Sequence, residues 1–98
     1  MARNFHVVID DEAAADLEEI ALYIGEDSVE RAHSFIERLR ARIYTLKKFP
    51  LRSREHPRND LFGEPTRRMP AEGYVIFYAV RGNVVHILGV IHASRDIV

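Results

Sequence analysis

Residues 73–96, GYVIFYAVRGNVVHILGVIHASRD, give the clearest indication of the fold. Aromatic and β-branched residues fill Tyr74 to Arg81 and again Val84 to His92, and such side chains favour extended backbone. Both runs are far too short to span a bilayer. Gly82 and Asn83 stand between them, and both tolerate the positive φ angles of a two-residue hairpin turn. The pattern therefore predicts a pair of antiparallel strands.

Alternation of side chains along the second of these strands predicts its two faces. Val85, Ile87 and Ile91 are expected on one face, because successive side chains of a strand point in opposite directions. His86 is then expected on the other face, as a solvent-facing strand residue. Two more strands are predicted, a β-branched one over residues 5–9 and a shorter one over residues 66–69.

A first amphipathic helix is predicted between these strands, over residues 11–25. Asp10 or Asp11 is expected to cap its first N–H groups, and Gly25 is expected to end it. Apolar residues recur along it with helical spacing, at Ala13, Ala14, Leu17, Ile20, Ala21 and Ile24.

A second amphipathic helix is predicted over residues 29–49. Ser28 offers its N-cap, and Pro50 cannot continue it because proline lacks the N–H and clashes with the preceding turn. Its apolar stripe consists of Val29, Ala32, Phe35, Ile36, Leu39, Ile43 and Leu46. Two helices joined by about three residues must lie antiparallel, as a hairpin.

The element order is therefore β-α-α-β-β-β, and the expected class is α+β. Neither helix can bury its apolar stripe alone, so the helical hairpin is expected to pack on one face of a small antiparallel sheet. Residues 50–63 are predicted to form an irregular basic loop. With 98 residues the chain is expected to form a single domain, 1–98. The order of the strands stays open, since the first strand can join an edge or the middle.

Charge is separated along the chain. Residues 1–30 hold one base and nine acids, whereas residues 31–98 hold thirteen bases and six acids. The separation indicates a dipolar molecule with one basic face, although long helices are commonly charged on their solvent side. Cysteine is absent, which excludes disulfides and thiolate chemistry. The N-terminus turns acidic before any long apolar run, unlike a signal peptide, so a cytoplasmic location and no membrane partner are expected.

The paired strands end in an H-x-x-R-D pattern formed by His92, Arg95 and Asp96. Together with the acidic, alanine-rich first helix and the helix end at Phe49-Pro50, this stretch resembles the RelE/ParE superfamily of bacterial toxins, in particular its ParE-like branch. The resemblance implies a toxin of a type II toxin-antitoxin system that a cognate antitoxin neutralises. It leaves two activities open: ParE-like members block DNA gyrase, whereas RelE-like members cut mRNA on the ribosome.

The nuclease alternative requires a proton acceptor, a proton donor and a cation at one phosphate. By resemblance to RelE-like toxins, Arg68 and Arg95 are catalytic candidates, and His92 is added as the acid-base candidate because imidazole is suited to proton transfer. Val75 stands where an arginine is expected, and Ile97-Val98 stands where an acid or base is expected. The chain is therefore expected not to be an enzyme, or else to be a metal-independent mRNA endonuclease. His6, His33 and His56 are not expected to form a metal site, and no cofactor is expected.

Partner-binding surfaces are expected at free strand edges and in the groove between hairpin and sheet. An antitoxin segment that folds as it binds fits such places, giving a hetero-oligomer of toxin and antitoxin. At least one of the two tyrosines proposed for this surface is expected to lie in the core instead. A third alternative is an interaction domain that is no longer toxic. The proposed partner-binding residues are Arg67, Arg68, Tyr74, Tyr78, Arg81 and Arg95.

Overall fold

The computed structural model describes residues 4–52, 55–56 and 62–95. The predicted order β-α-α-β-β-β is confirmed, with one two-residue strand added inside the stretch predicted as an irregular loop. The elements are β1 (His6–Ile9), α1 (Asp11–Gly25), α2 (Val29–Tyr44), β2 (Glu55–His56), β3 (Thr66–Ala71), β4 (Tyr74–Arg81) and β5 (Val84–His92). Short 3₁₀ turns occupy Thr45–Lys47, Pro50–Arg52 and Ala93–Arg95.

The five strands form one sheet in the order β1-β5-β4-β3-β2. Adjacent strands among β2 to β5 pair antiparallel, which confirms the predicted antiparallel arrangement of β3, β4 and β5. The sheet as a whole is mixed, because β1 runs parallel to β5, with His6 opposite Val84 and Ile9 opposite Ile87. Strand β1 lies at the sheet edge beside β5. It leads directly into helix α1, and α1 packs across β5.

Turn chemistry shapes the meander. Glu72 and Gly73 join β3 to β4, and both have positive φ, at 53° and 82°, as in a type I′ turn. Between β4 and β5 only Gly82 has positive φ, at 61°. The predicted turn therefore exists, but Asn83 does not use the left-handed conformation that its residue type tolerates.

The helix N-termini differ from each other in their caps. Ser28 caps α2 as predicted, since its hydroxyl accepts the backbone N–H of Arg31 at 3.1 Å. Asp10 occupies the N-cap position of α1, but its side chain makes no capping hydrogen bond. Its carboxylate instead lies 2.9 Å from Nδ1 of His86. His86 is thus half-buried and paired with the residue that follows the neighbouring strand β1, rather than simply facing solvent.

Helix α2 ends at Tyr44, earlier than the predicted end near Phe49. The chain first tightens into a 3₁₀ turn, and the carbonyl of Lys47 then accepts the N–H of Phe5 at 2.8 Å. Phe49 has a φ of 54°, a left-handed conformation that no helix continues. Packing against the start of β1 and the approach to Pro50 therefore shorten the helix.

The main core lies between the hairpin and one face of the sheet. Side chains on both sheet faces are buried, however, since Phe77 on the opposite face is 1% exposed. The ring of Phe62 packs on Phe77 with centroids 5.4 Å apart. Fully buried members of the main core include Ala13, Leu39, Ile43, Leu46, Ile76, Tyr78, Val85 and Ile87.

A β-bulge interrupts β5. Phe77 lies opposite Gly89 but Tyr78 lies opposite Ile87, so Leu88 is the extra residue. The alternation of faces therefore reverses within the strand. Val90, rather than Ile91, joins the core formed with the helices. The predicted placement of Ile91 on that face was wrong, because strict alternation does not anticipate a bulge.

Candidate partner-binding cleft

A cleft of about 510 Å³ lies beside the last residues of β5, between that strand and α1. It combines acidic and aromatic side chains from the helix with the polar end of the strand. Its lining residues are Asp16, Glu19, Ile20, Tyr23, Tyr74, Val90, Ile91, His92, Ser94 and Arg95.

The cleft runs along an open strand edge. The last register position of β1 is Ile9 opposite Ile87, and the N–H of Asp10 closes this ladder on the carbonyl of Ile87 at 3.0 Å. Beyond that point no described strand lies beside β5 on this side. The N–H of Val90 is instead accepted by the carboxylate of Asp16, at 2.9 Å. A helix side chain thus accepts a backbone N–H that would otherwise bond to the carbonyl of a neighbouring strand.

The same position perturbs Asp16. Its burial raises its pKa above the ordinary value of 3.8, because water no longer stabilises the carboxylate fully. The N–H of Val90 opposes this by stabilising the charged form, whereas the negative charges of Glu19 and Glu12 add to the increase. The cleft therefore has a negatively charged wall on its helix side.

His92 and Tyr74 form the aromatic end of the cleft. They are directly opposed on β5 and β4, and their rings meet edge to face with centroids 5.0 Å apart. Tyr74 also meets the edge of Phe35 from α2, at 5.7 Å. The Nδ1 atom of His92 lies 2.7 Å from the hydroxyl oxygen of Ser94 and 3.2 Å from the backbone nitrogen of the same residue, so Ser94 orients the ring.

Arg95 brings a positive charge to the same cleft, next to His92. Two of the three nuclease candidates are therefore together. The carboxylates of Asp16 and Glu19 line this cleft as well, and they repel a phosphate backbone. A mixed set of acid, base and aromatic groups is better suited to a peptide segment.

Arg68 lies on the opposite face of the sheet from His92. Its register partner is Phe77, and its guanidinium carbon lies 5.9 Å from the centre of that ring. His92 instead shares the helix-facing side with Tyr74. The bulge at Leu88 causes this separation, since uninterrupted alternation would place His92 on the face of His86.

Tyr78 is removed from the predicted partner surface. It is 0% exposed, and its hydroxyl donates to the carbonyl of Pro50 at 2.6 Å. This agrees with the expectation that at least one tyrosine belongs to the core. Tyr74 is half-buried and lines the cleft.

The remaining predicted arginines are dispersed. Arg81 lies at the far end of β4, where its Nε donates to Glu64 at 2.9 Å and its second nitrogen also pairs with that carboxylate. This hydrogen bonding raises the pKa of Arg81 further above its ordinary value. Arg67 lies opposite Tyr78 on β3. Of the six predicted partner-binding residues, only Tyr74 and Arg95 meet in the cleft.

Sequence reasoning missed the helix side of this cleft. Asp16, Glu19 and Tyr23 follow one another at intervals of three and four residues, and therefore share one flank of α1. That spacing was available as a signal, but acidic residues on a helix normally indicate only a solvated surface. The contact with β5 gives the flank its significance.

Some predicted features lie outside the described residues, namely Asp96 of the H-x-x-R-D pattern and the apolar tail Ile97-Val98. Within residues 4–52, 55–56 and 62–95, no group of three or more His, Cys, Asp or Glu side chains is arranged to hold a metal ion. In that same part of the chain, none of the helices has the length and apolar character needed to cross a membrane.

Comparison with known proteins adds sequence and structural relatives. A family profile described as "ParE toxin of type II toxin-antitoxin system, parDE" matches residues 7–97. No curated protein sequence gives a significant match. Among solved structures, the chromosomal ParDE toxin-antitoxin system from P. aeruginosa is similar, with a TM-score of 0.75 and 19% identity. That match covers 92% of this chain and 97% of the other, and it shows the shared fold.

Proposed function

We propose, since this chain belongs to the ParE toxin family of type II toxin-antitoxin systems, that it acts by binding and inhibiting DNA gyrase. The observation that carries the choice is the separation of Arg68 from His92 and Arg95. Cleavage of RNA requires acid, base and cation around one phosphate. A sheet stands between these groups, so they cannot converge on a single bond. Inhibition by protein binding needs no such convergence.

The proposed neutralising partner is a cognate antitoxin, seated in the cleft beside β5. An extended segment can add to an open strand edge through backbone hydrogen bonds. A basic antitoxin side chain would meet Asp16 or Glu19, and an acidic one would meet Arg95. Tyr23 is 72% exposed and supplies apolar surface at the mouth of the cleft.

The assay that tests the proposed activity is supercoiling by purified DNA gyrase. We expect the toxin to inhibit supercoiling, and added antitoxin to restore it. Primer extension on ribosome-bound message is run in parallel, because an mRNA endonuclease leaves gyrase untouched. Cuts in the message together with normal supercoiling would favour the RelE-like alternative. Harmless expression without antitoxin would instead favour the non-toxic interaction domain.

The location of the antitoxin is tested by a charge reversal in the cleft. Glu19→Lys should weaken antitoxin binding about tenfold or more, because it places a cation in a site proposed to receive one. Glu37→Lys is the matched control, since Glu37 is an exposed acid on α2 outside the cleft. If the two variants bind the antitoxin equally well, the cleft is not the antitoxin site. The gyrase assay tests the proposed activity independently of this result.

A further inference from the structure

The outer face of the helical hairpin carries exposed apolar side chains. Leu22 on α1 is 68% exposed, and Val29 on α2 is 77% exposed. They border a shallow groove of about 590 Å³ at the hairpin tip. The groove lies on the flank of α1 opposite the cleft, since its lining residues are Glu18, Ala21, Leu22, Gly25, Glu26, Val29, Ala32, His33 and Ile36.

One stripe of α2 continues this surface toward the other end of the hairpin. Its members are spaced by three or four residues, which places them along one side of the helix. Tyr44, at the far end, is 43% exposed. About 22 Å of helix separates it from the first member, at 1.5 Å per residue. The stripe consists of Val29, His33, Ile36, Arg40 and Tyr44.

The two ends of this surface carry opposite charge. Glu18 and Glu26 line the groove at the tip, and Glu30 follows on α2. At the other end stand the exposed bases Arg40 and Lys47. The groove at the tip is therefore lined by acidic side chains, whereas Arg40 and Lys47 bring positive charge near the exposed ring of Tyr44, and these two groups of charges are complementary.

We propose that two copies of this chain associate through these outer faces, antiparallel and about a two-fold axis near Ile36. In this arrangement Val29 of one copy lies near Tyr44 of the second. The acidic tip, with Glu26 and Glu30, then faces the basic end of the other copy. A two-fold axis forms each of these contacts twice.

Charge selects this occupant and this orientation. A parallel arrangement would bring two acidic tips together, and like charges across an interface are unfavourable. The chain itself carries the basic, partly apolar surface that the groove requires, at matching distances from the centre of α2. The proposed face also leaves the cleft at Asp16 and Tyr23 open, so it is independent of the proposed antitoxin site and of the target.

The test uses two charge-reversed forms of the full chain. Glu26→Lys with Glu30→Lys makes both ends basic, and Arg40→Glu with Lys47→Glu makes both ends acidic. Sedimentation equilibrium in the micromolar range should show dimers for the natural chain and a dissociation constant raised at least about tenfold for each reversed form. An equal mixture of the two forms should recover the dimer, because each then meets an end of opposite charge.

A second measurement fixes the orientation. The natural chain has no cysteine, so Val29→Cys with Tyr44→Cys supplies the only thiols. A short bismaleimide should join two such chains, whereas the pair Ser34→Cys with Tyr44→Cys should crosslink poorly because Ser34 lies outside the stripe. Circular dichroism checks that every variant is folded.

Three outcomes would overturn the proposal: a natural chain that stays monomeric throughout the range, dimers that ignore both charge reversals, or a mixture that stays monomeric. Binding of a basic amphipathic peptide to monomers in this groove would assign it to another partner. None of these results depends on gyrase inhibition.

Discussion

The carboxylate of Asp16 accepts the backbone N–H of Val90 at 2.9 Å, where no described strand lies beside β5. Asp16→Ala leaves that donor without its partner, and an unsatisfied donor is costly when poorly hydrated. We expect the free energy of unfolding to fall by about 1 kcal/mol. Asp16→Asn keeps an oxygen acceptor and should lose less, as measured by urea denaturation. Equal losses in both variants would contradict this role for the hydrogen bond.

Stability should also depend on pH through Asp16. Burial raises its folded-state pKa above 3.8. Between pH 3.8 and this raised pKa, the folded state therefore binds more protons than the unfolded state. The contribution of Asp16 to the free energy of unfolding is therefore greatest below pH 3.8 and declines as pH rises through the raised pKa. The difference between the natural chain and Asp16→Asn, followed by denaturation across acidic pH, should show this decline. A difference that is constant with pH would exclude it.

Gly89→Ala should destabilise the bulge. The added Cβ would lie 3.1 Å from the ring of Phe62, closer than ordinary contact. Moving that ring disturbs its packing on Phe77, with an expected cost of about 1–3 kcal/mol. Gly25→Ala is the matched control, since its added Cβ would lie an ordinary 3.8 Å from the Cβ of Ala32 and alanine favours helix. The midpoint temperature of thermal unfolding should fall for Gly89→Ala and rise slightly for Gly25→Ala.

Tyr78→Phe isolates one buried hydrogen bond. It removes the hydroxyl that donates to Pro50 while keeping the ring in the core. The carbonyl of Pro50 would lose this donor, so we expect a loss of about 1–2 kcal/mol in unfolding free energy. Tyr74→Phe should cost less, because Tyr74 is only half-buried. A large loss of antitoxin affinity in Tyr78→Phe, with stability unchanged, would show that Tyr78 contacts the partner after all.

Ser28→Ala should weaken the start of α2. The hydroxyl of Ser28 accepts the N–H of Arg31, and removal of such a cap costs about 1 kcal/mol. Ser34→Ala, an exposed change within the same helix, should be neutral or slightly stabilising, since alanine is the better helix former. The midpoint urea concentrations of the two variants separate the loss of the cap from the gain in helix propensity. Similar midpoints for the two variants would contradict the capping role of Ser28.

Local patterns predicted most of the elements because their causes are local. The 3.6-residue spacing located α1 with its observed ends, and Gly82-Asn83 located the β4–β5 turn. The end of α2 was misplaced, since the contact between Lys47 and Phe5 joins parts of the chain that are distant in sequence. The same is true of Asp10, whose side chain turns to His86 instead of capping α1.

The candidate site shows the same division. The sequence was enough to predict that His92 and Arg95 lie near each other, because only two residues separate them, and it showed the charge difference between residues 1–30 and residues 31–98. The position of Arg68 on the other side of the sheet and the hydrogen bond from Val90 to Asp16 depend instead on how the chain folds in three dimensions. They follow from the bulge at Leu88 and the early end of β1, because one extra residue reverses the faces of a strand, and beyond the end of β1 the edge of β5 contacts helix α1 instead of a strand.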